Sequence, residues 1–167
     1  VSKTLEYAYN DWCIAQMADQ VDNLATKEEF MKRSKYYKNV YDPSIGYMRP
    51  KLADGTFSKN FDPMDTHGQG FIEGNAWNYG LYVPQNINHM IKMMGGKKQF
   101  SQHLDSLFTM DIDEKYIAKN EDITRDGIIG NYVHGNEPGH HIPYLYNWTG
   151  HPEKTQERVR MIMDTMY

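Results

Sequence analysis

The chain has 167 residues, with 18 Lys plus Arg against 22 Asp plus Glu and a net charge of -4; this is one ordinary domain, long enough to bury roughly two thirds of its unfolded surface, and disorder is excluded. No basic stripe offers to neutralise phosphates, which argues against nucleic acid, and there is neither an apolar run near the ~20 residues that cross a bilayer nor a charged-then-apolar opening of a signal peptide. Cys13 is the only cysteine, so disulfide frameworks and thiolate zinc clusters are out, while 13 Tyr, 3 Trp and 6 Phe in a chain of mean hydropathy -0.76 point to carbohydrate stacking or a wet cleft.

Apolar spacing predicts six helices in three pairs. The first runs from about Ser2 to Val21, with Leu5, Ala8, Trp12 and Ala15 on one stripe and Ile14, Met17, Ala18 and Val21 on another, the pattern of a deeply buried helix. The second opens on a capping box, Thr26 with Glu29, and lines up Phe30, Ser34, Tyr37 and Tyr41 on one face. The third starts near Pro84 and repeats Val83, Ile87, Met90, Ile91 and Met94 before Gly95-Gly96 ends it. The fourth carries Phe100, His103, Leu104, Leu107 and Phe108. The fifth lies between about Gly139 and Thr149, capped by Asn136 or starting near Pro143. The sixth has Pro152 in its first turn and Val159, Ile162, Met163 and Met166 on one face.

Connections within pairs are short, but Tyr41 to Val83 and Thr109 to Pro138 are far longer than the usual ~4–6 residues, and loops of that length are functional or disordered. Their content of Tyr47, Trp77, Tyr79, Tyr132 and most of the glycines favours function. In antiparallel hairpins the three short turns share one end, so both long loops emerge together at the other. Asp54-Gly55, between Leu52 and Phe57, predicts a small hairpin in the first loop. Three such hairpins form an all-α architecture, part of an α/α toroid or a bundle.

The first loop delivers Gly70-Phe71-Ile72-Glu73-Gly74-Asn75-Ala76-Trp77-Asn78-Tyr79. A carboxyl group in partly dry surroundings has its charged form disfavoured, which suits Glu73 to general-acid work; the alternative is a helix cap or an arginine pair. The second loop delivers Tyr132-Val133-His134-Gly135-Asn136-Glu137-Pro138-Gly139-His140-His141. Oxygen donors at Asn136 and Glu137 suit calcium. A carboxylate with three histidines suggests zinc instead, although adjacent His140 and His141 rarely reach one metal and no HExxH spacing is present; a third reading makes Asn136 a helix cap. Asp62, Asp65 and His67 read as turn residues. Asp111, Asp113 and Glu114 read as a solvated acidic run, since the positions of an EF-hand do not match. The Asn147-Trp148-Thr149 sequon lies in a predicted helix and is discounted. The methionines fall mostly on helix faces, as packing.

Gly46-Tyr47-Met48-Arg49-Pro50, Asp54-Gly55-Thr56-Phe57, Glu73-Gly74-Asn75-Ala76-Trp77, and His134 to His141 followed by Tyr144-Leu145-Tyr146, resemble glycoside hydrolase family 92 in this order, and Ser2-Lys3-Thr4-Leu5-Glu6-Tyr7 is similar to the same family. The resemblance covers essentially the whole chain. It implies an exo-acting, calcium-dependent, inverting α-mannosidase, with a lean to α-1,2 linkages and mannose-containing glycans as partners. It also implies that residues 1–167 are a fragment, about half, of an (α/α)6 catalytic toroid, without the N-terminal β-sandwich and the C-terminal part of the toroid. By motif Glu73 matches the general acid, Asn136 and Glu137 match the segment around metal and sugar, and Trp77, His134 and Glu137 match substrate contacts. The family's general-base aspartate lies downstream of the segment resembled, and inversion needs a second carboxylate roughly 6.5–9.5 Å from the acid. The chain alone is therefore expected to be inactive, its parent secreted or periplasmic, and its exposed edges prone to oligomerise. Two rival readings are a non-catalytic carbohydrate-binding or structural α/α module, and another toroid enzyme such as a lyase or zinc hydrolase, which metal analysis would separate.

Overall fold

The computed structural model describes residues 1–117 and 125–167. Helix dominates: α1 is Ser2–Gln20, α2 Leu24–Arg33, α3 Ile87–Met93, α4 Lys97–Thr109, α5 Tyr146–Thr149 and α6 Pro152–Met166. Each predicted pair packs together, α1 on α2, α3 on α4 and α5 on α6, and α4 also packs on α5. Leu5, Tyr37, Met90, Phe100, Leu104, Leu107, Tyr132, Ile142 and Tyr146 form the interior, so long-loop aromatics share the core with helix residues. Among the described residues no helix is long and apolar enough to cross a membrane.

Three helices depart from the predicted pattern, each for a local reason. In α1 only one stripe is buried; Leu5, Ala8, Ala15 and Ala18 are covered, whereas Ile14, Met17 and Val21 are exposed. Its packing partners are α2 and the turns at 36–40 and 79–86, and these cover a single face. The start of α2 is capped by Asn23, whose Oδ1 accepts from the Thr26 amide at 3.2 Å. Thr26 thus lies inside the helix and the predicted capping box does not form. The helix stops at Arg33, where the Ser34 hydroxyl donates back to the Met31 carbonyl, and a 3-10 turn at Tyr36–Val40 replaces its predicted last turns. The predicted fifth helix is broken into 3-10 turns at Glu137–Gly139 and Ile142–Tyr144 followed by the short α5. Pro138 and Pro143 each open one of those turns, because proline starts a helical turn readily but cannot continue one.

The first long loop is built of tight turns. Strands β1 (Tyr41–Asp42) and β2 (Tyr47–Met48) pair in antiparallel register, Tyr41 with Met48 and Asp42 with Tyr47. A second, smaller hairpin follows as predicted, with a bridge between Lys51 and Phe57 and the Asp54 carboxylate accepting from the Thr56 amide at 2.9 Å. Arg49 joins the two, pairing with buried Asp42 at 2.8 Å and donating to the Ser58 carbonyl. Asp62 and Asp65 accept from the amides of Met64 and His67, both at 2.9 Å, the turn role read from sequence. In the second long loop, β3 (Ile128–Ile129) and β4 (Tyr132–Val133) form a hairpin with Gly130-Asn131 at its tip.

Candidate carboxylate site

The two long loops meet. Glu73 is exposed, and among the described residues it makes no salt bridge and caps no helix. Partial desolvation, then the charge of Glu137, then that of Glu6 push its carboxyl group above the usual range. Three carboxylates from α1, the first loop and the second loop therefore share one electrostatic neighbourhood. Like charges in one place disfavour simultaneous ionisation, which works on Glu73 in the same direction as its partial burial. Glu6 is held from below: the buried Tyr79 hydroxyl donates to its Oε1 at 2.6 Å.

Behind Glu73 lies a cluster of three amides. Asn75 Oδ1 accepts from the Trp77 amide at 3.0 Å, while its Nδ2 donates to the Met64 carbonyl at 3.2 Å and to Asn131 Oδ1 at 3.1 Å. Asn78 Oδ1 accepts from the amides of Asn75 and Tyr79 at 2.9 and 2.6 Å, and its Nδ2 donates to the Asn131 carbonyl at 3.0 Å. Trp77 stacks on His103 at 4.4 Å between ring centroids, with Tyr47 tilted against both rings. Burial drives the His103 imidazole down to about 4, so it is neutral at ordinary pH.

The second-loop residues divide. Glu137 is exposed and within reach of the Glu73 charge, whereas His134 pairs through Nδ1 with the Tyr132 hydroxyl and through Nε2 with the Tyr167 hydroxyl, both at 3.0 Å. His134 thus lies against a cavity of about 360 Å³ walled by Tyr144, Ile162 and Met163. His140 donates to the His134 carbonyl at 2.7 Å, and His141, on the other side, to the Leu81 carbonyl at 3.0 Å. His134 and His140 stack at 5.3 Å between ring centroids but His141 does not join them, and among the described residues no group of three or more His, Cys, Asp or Glu side chains could hold a metal. Asn136 caps nothing with its side chain; its Oδ1 is buried without a partner among the described residues. A buried carbonyl oxygen left unpaired is costly and demands an explanation such as water or an ion.

Sequence reasoning located Glu73 and Glu137 in loops that do come together. It missed Glu6, Asn78, Asn131 and His103 as parts of the same neighbourhood. Glu6 stood in a quoted motif and Asn78 beside one, but Asn131 and His103 carry no local signal, because only the fold brings them near residue 75.

Helical hairpins whose long loops gather carboxylates beside stacked aromatic rings define an α/α scaffold with a polar loop site. The family model for the glycosyl hydrolase family 92 catalytic domain matches residues 1–167, and the chain belongs to that family. It is similar to the solved structure of the GH92 α-mannosidase BT3965 from Bacteroides thetaiotaomicron, at 40% identity and a TM-score of 0.86 over 98% of this chain and 21% of that one. It is also similar to the GH92 inverting mannosidase BT2199 of the same organism, at 34% identity and a TM-score of 0.83, over 99% and 23%. A protein of Arthroderma benhamiae named as an uncharacterized secreted glycosidase is 22% identical over all of this chain and 22% of its own length. The chain thus spans between a fifth and a quarter of these relatives.

Proposed function

We propose that the chain is the part of an exo-α-mannosidase catalytic domain that carries the general acid, Glu73. The observation that carries this reading is the setting of Glu73, where partial burial first and then the charges of Glu137 and Glu6 raise its proton affinity. A carboxylic acid whose proton affinity is raised donates to the glycosidic oxygen as the bond to the anomeric carbon breaks, leaving an oxocarbenium-like sugar for water to attack from the opposite face. Family membership and the two mannosidases it resembles supply the substrate class, terminal α-mannosides, with α-1,2 linkages as the leading candidate. One relative was solved in complex with mannoimidazole, which supports a mannose-shaped site. The general base, on this reading, comes from a part of the protein other than residues 1–167, and so does the remainder of an (α/α)6 toroid. The secreted relative makes secretion the expected location.

A hard cation fits the second loop. Asn136 Oδ1 is an unpaired carbonyl oxygen and Glu137 is its exposed neighbour, an oxygen-only donor set of the kind calcium takes. Calcium there would bind sugar hydroxyls and help distort the ring. Trp77, His134 and Glu137 are the proposed substrate contacts; Trp77 is stiffened by His103 behind it, and Glu137 shares the electrostatic neighbourhood of the acid.

The test is Glu73→Gln in the full-length protein. Exposed and, among the described residues, free of salt bridges, Glu73 should be replaceable without loss of fold, while turnover of an unactivated α-mannoside should fall about 100- to 10,000-fold, the usual contribution of a positioned acid. Activity within a few-fold of the wild type would overturn the assignment. The anomer released, followed by proton NMR immediately after hydrolysis, distinguishes inversion from retention. Calcium-dependent mannose binding by a full-length protein that lacks hydrolysis would favour the non-catalytic module.

A further inference from the structure

We propose that Asn75, Asn78 and Asn131 form an amide clasp that sets the position of the Glu73 loop relative to the Glu137 segment, making all three positioning residues for the carboxylate site. They are 2%, 5% and 2% exposed, and they come from opposite sides of the site. Asn75 and Asn78 follow the acid by two and five residues. Asn131 sits at the tip of the hairpin whose outgoing strand, β4, leads straight into residues 134–137.

Every end of the clasp is engaged. Asn131 Oδ1 accepts from Asn75 Nδ2 at 3.1 Å and Asn78 Nδ2 at 3.3 Å, and its own Nδ2 donates to the Met64 sulfur at 3.7 Å. Buried side-chain amides differ from apolar contacts in one respect that matters here. Apolar surfaces tolerate sliding, whereas a shift of this network leaves a buried N–H or carbonyl unpaired. The clasp therefore fixes register between two loops that belong to no common sheet or helix.

Two glycines are its counterparts. Gly74, next to the acid, has φ of +61°, and a Cβ there would lie 2.5 Å from Asn78 Oδ1, the oxygen that closes over the Asn75 amide. Gly130, next to Asn131, has φ of +60°, and its Cβ would lie 2.3 Å from the Leu107 carbonyl. That same carbonyl accepts from the Asn131 amide at 2.7 Å, so the hairpin tip is pinned to the end of α4. The acid loop is thereby referenced, through Asn131, to a core helix.

The geometric claim stands independently of the glycosidase reading; its catalytic consequence rests on that reading. The test uses the full-length protein with Cys13→Ser and spin labels on cysteines introduced at Ile72, 80% exposed, and at Asp126, also exposed. Electron–electron resonance should give one narrow distance in this background. Asn131→Leu, branched at the same carbon but without hydrogen bonds, should broaden that distribution at least about twofold while circular dichroism remains that of the folded protein. Asn131→Asp keeps the accepting oxygen for both partner amides but loses the Nδ2 donor to Asn75 Oδ1 and the Met64 sulfur and buries a charge there, so it should narrow the distance only in part. Without labels, Asn131→Leu should lower kcat on an α-mannoside roughly tenfold to hundredfold with KM changed little, as misplacement of a reacting group does. Should Asn131→Leu not fold, Asn78→Asp keeps the oxygen that accepts from the Asn75 and Tyr79 amides, replaces the two bonds donated to Asn131 by an oxygen facing its acceptors, and is measured in the same way with the same broadening expected. A narrow, unchanged distance in a folded clasp variant, or a broad one before mutation, overturns the proposal. Absence of mannosidase activity before mutation overturns the glycosidase reading instead and leaves the distance measurement decisive.

Discussion

Trp77 and His103 lie face to face at 4.4 Å, and the histidine beneath the tryptophan is held neutral by burial, its proton affinity lowered to about 4. In the unfolded chain the same imidazole titrates near its ordinary value of about 6.5. Above 6.5 both states are neutral and the group does not affect stability. As pH falls from 6.5 towards 4 the unfolded state takes up the proton and the folded state does not, so stability is lost across that window. A shift of this size corresponds to a loss on the order of 3 kcal/mol, each pH unit of displacement being worth about 1.4. Burial lowers His141 in the same direction, adding to the acid sensitivity. Thermal melts of the protein between pH 7 and 4 should show a falling midpoint, and His103→Phe, which keeps a flat ring against Trp77, should flatten the curve. An identical slope in the variant would place the acid sensitivity elsewhere.

At the scale of elements, caps and glycines decide where the site loops begin and end. Asn23 rather than Thr26 starts α2, and replacing an N-cap asparagine by alanine costs about 1 kcal/mol; Asn23→Ala should therefore lower the denaturant midpoint, whereas Thr26→Ala, a substitution inside the helix, should change it little. Gly130 is more demanding, because both its positive φ and the backbone 2.3 Å from a Cβ oppose any side chain. Gly130→Ala should cost more than about 2 kcal/mol or displace the β3–β4 hairpin, read as faster amide exchange at Asn131 and Tyr132; a neutral effect on both would contradict the close approach. Most of the helix pairing was legible from spacing, as were the turns at Asp54, Asp62 and Asp65, because those signals are local. The broken course of residues 137–149 was not, since periodicity continues through Pro138 and Pro143 while the chain restarts at each. Nor was the one-sided burial of α1, for an apolar stripe states a preference and only the neighbours decide whether it is met.

Over the whole molecule, the stripe left uncovered on α1, Ile14, Met17 and Val21, continues onto Leu24 at the start of α2. An apolar strip of that kind on an isolated 167-residue chain should drive self-association, since large exposed apolar patches mark interaction surfaces. Sedimentation of the purified chain should reveal species larger than 19.6 kDa, and the combined change Met17→Lys and Val21→Lys should shift it towards monomer. Monomeric behaviour without mutation would show that the strip is tolerated. The same isolated chain should release no mannose from an α-mannoside; measurable release would place a base within residues 1–167. Periodicity, turn chemistry and motif order are written in neighbouring residues, so the helical pairs, the two long loops and the motifs that place the chain in its family are legible in the amino-acid order. That Glu6 joins Glu73 and Glu137, and that Asn131 reaches across to Asn75 and Asn78, follows from the fold alone. Contacts between residues more than fifty positions apart depend on how helices pack and loops close, and no local pattern encodes that.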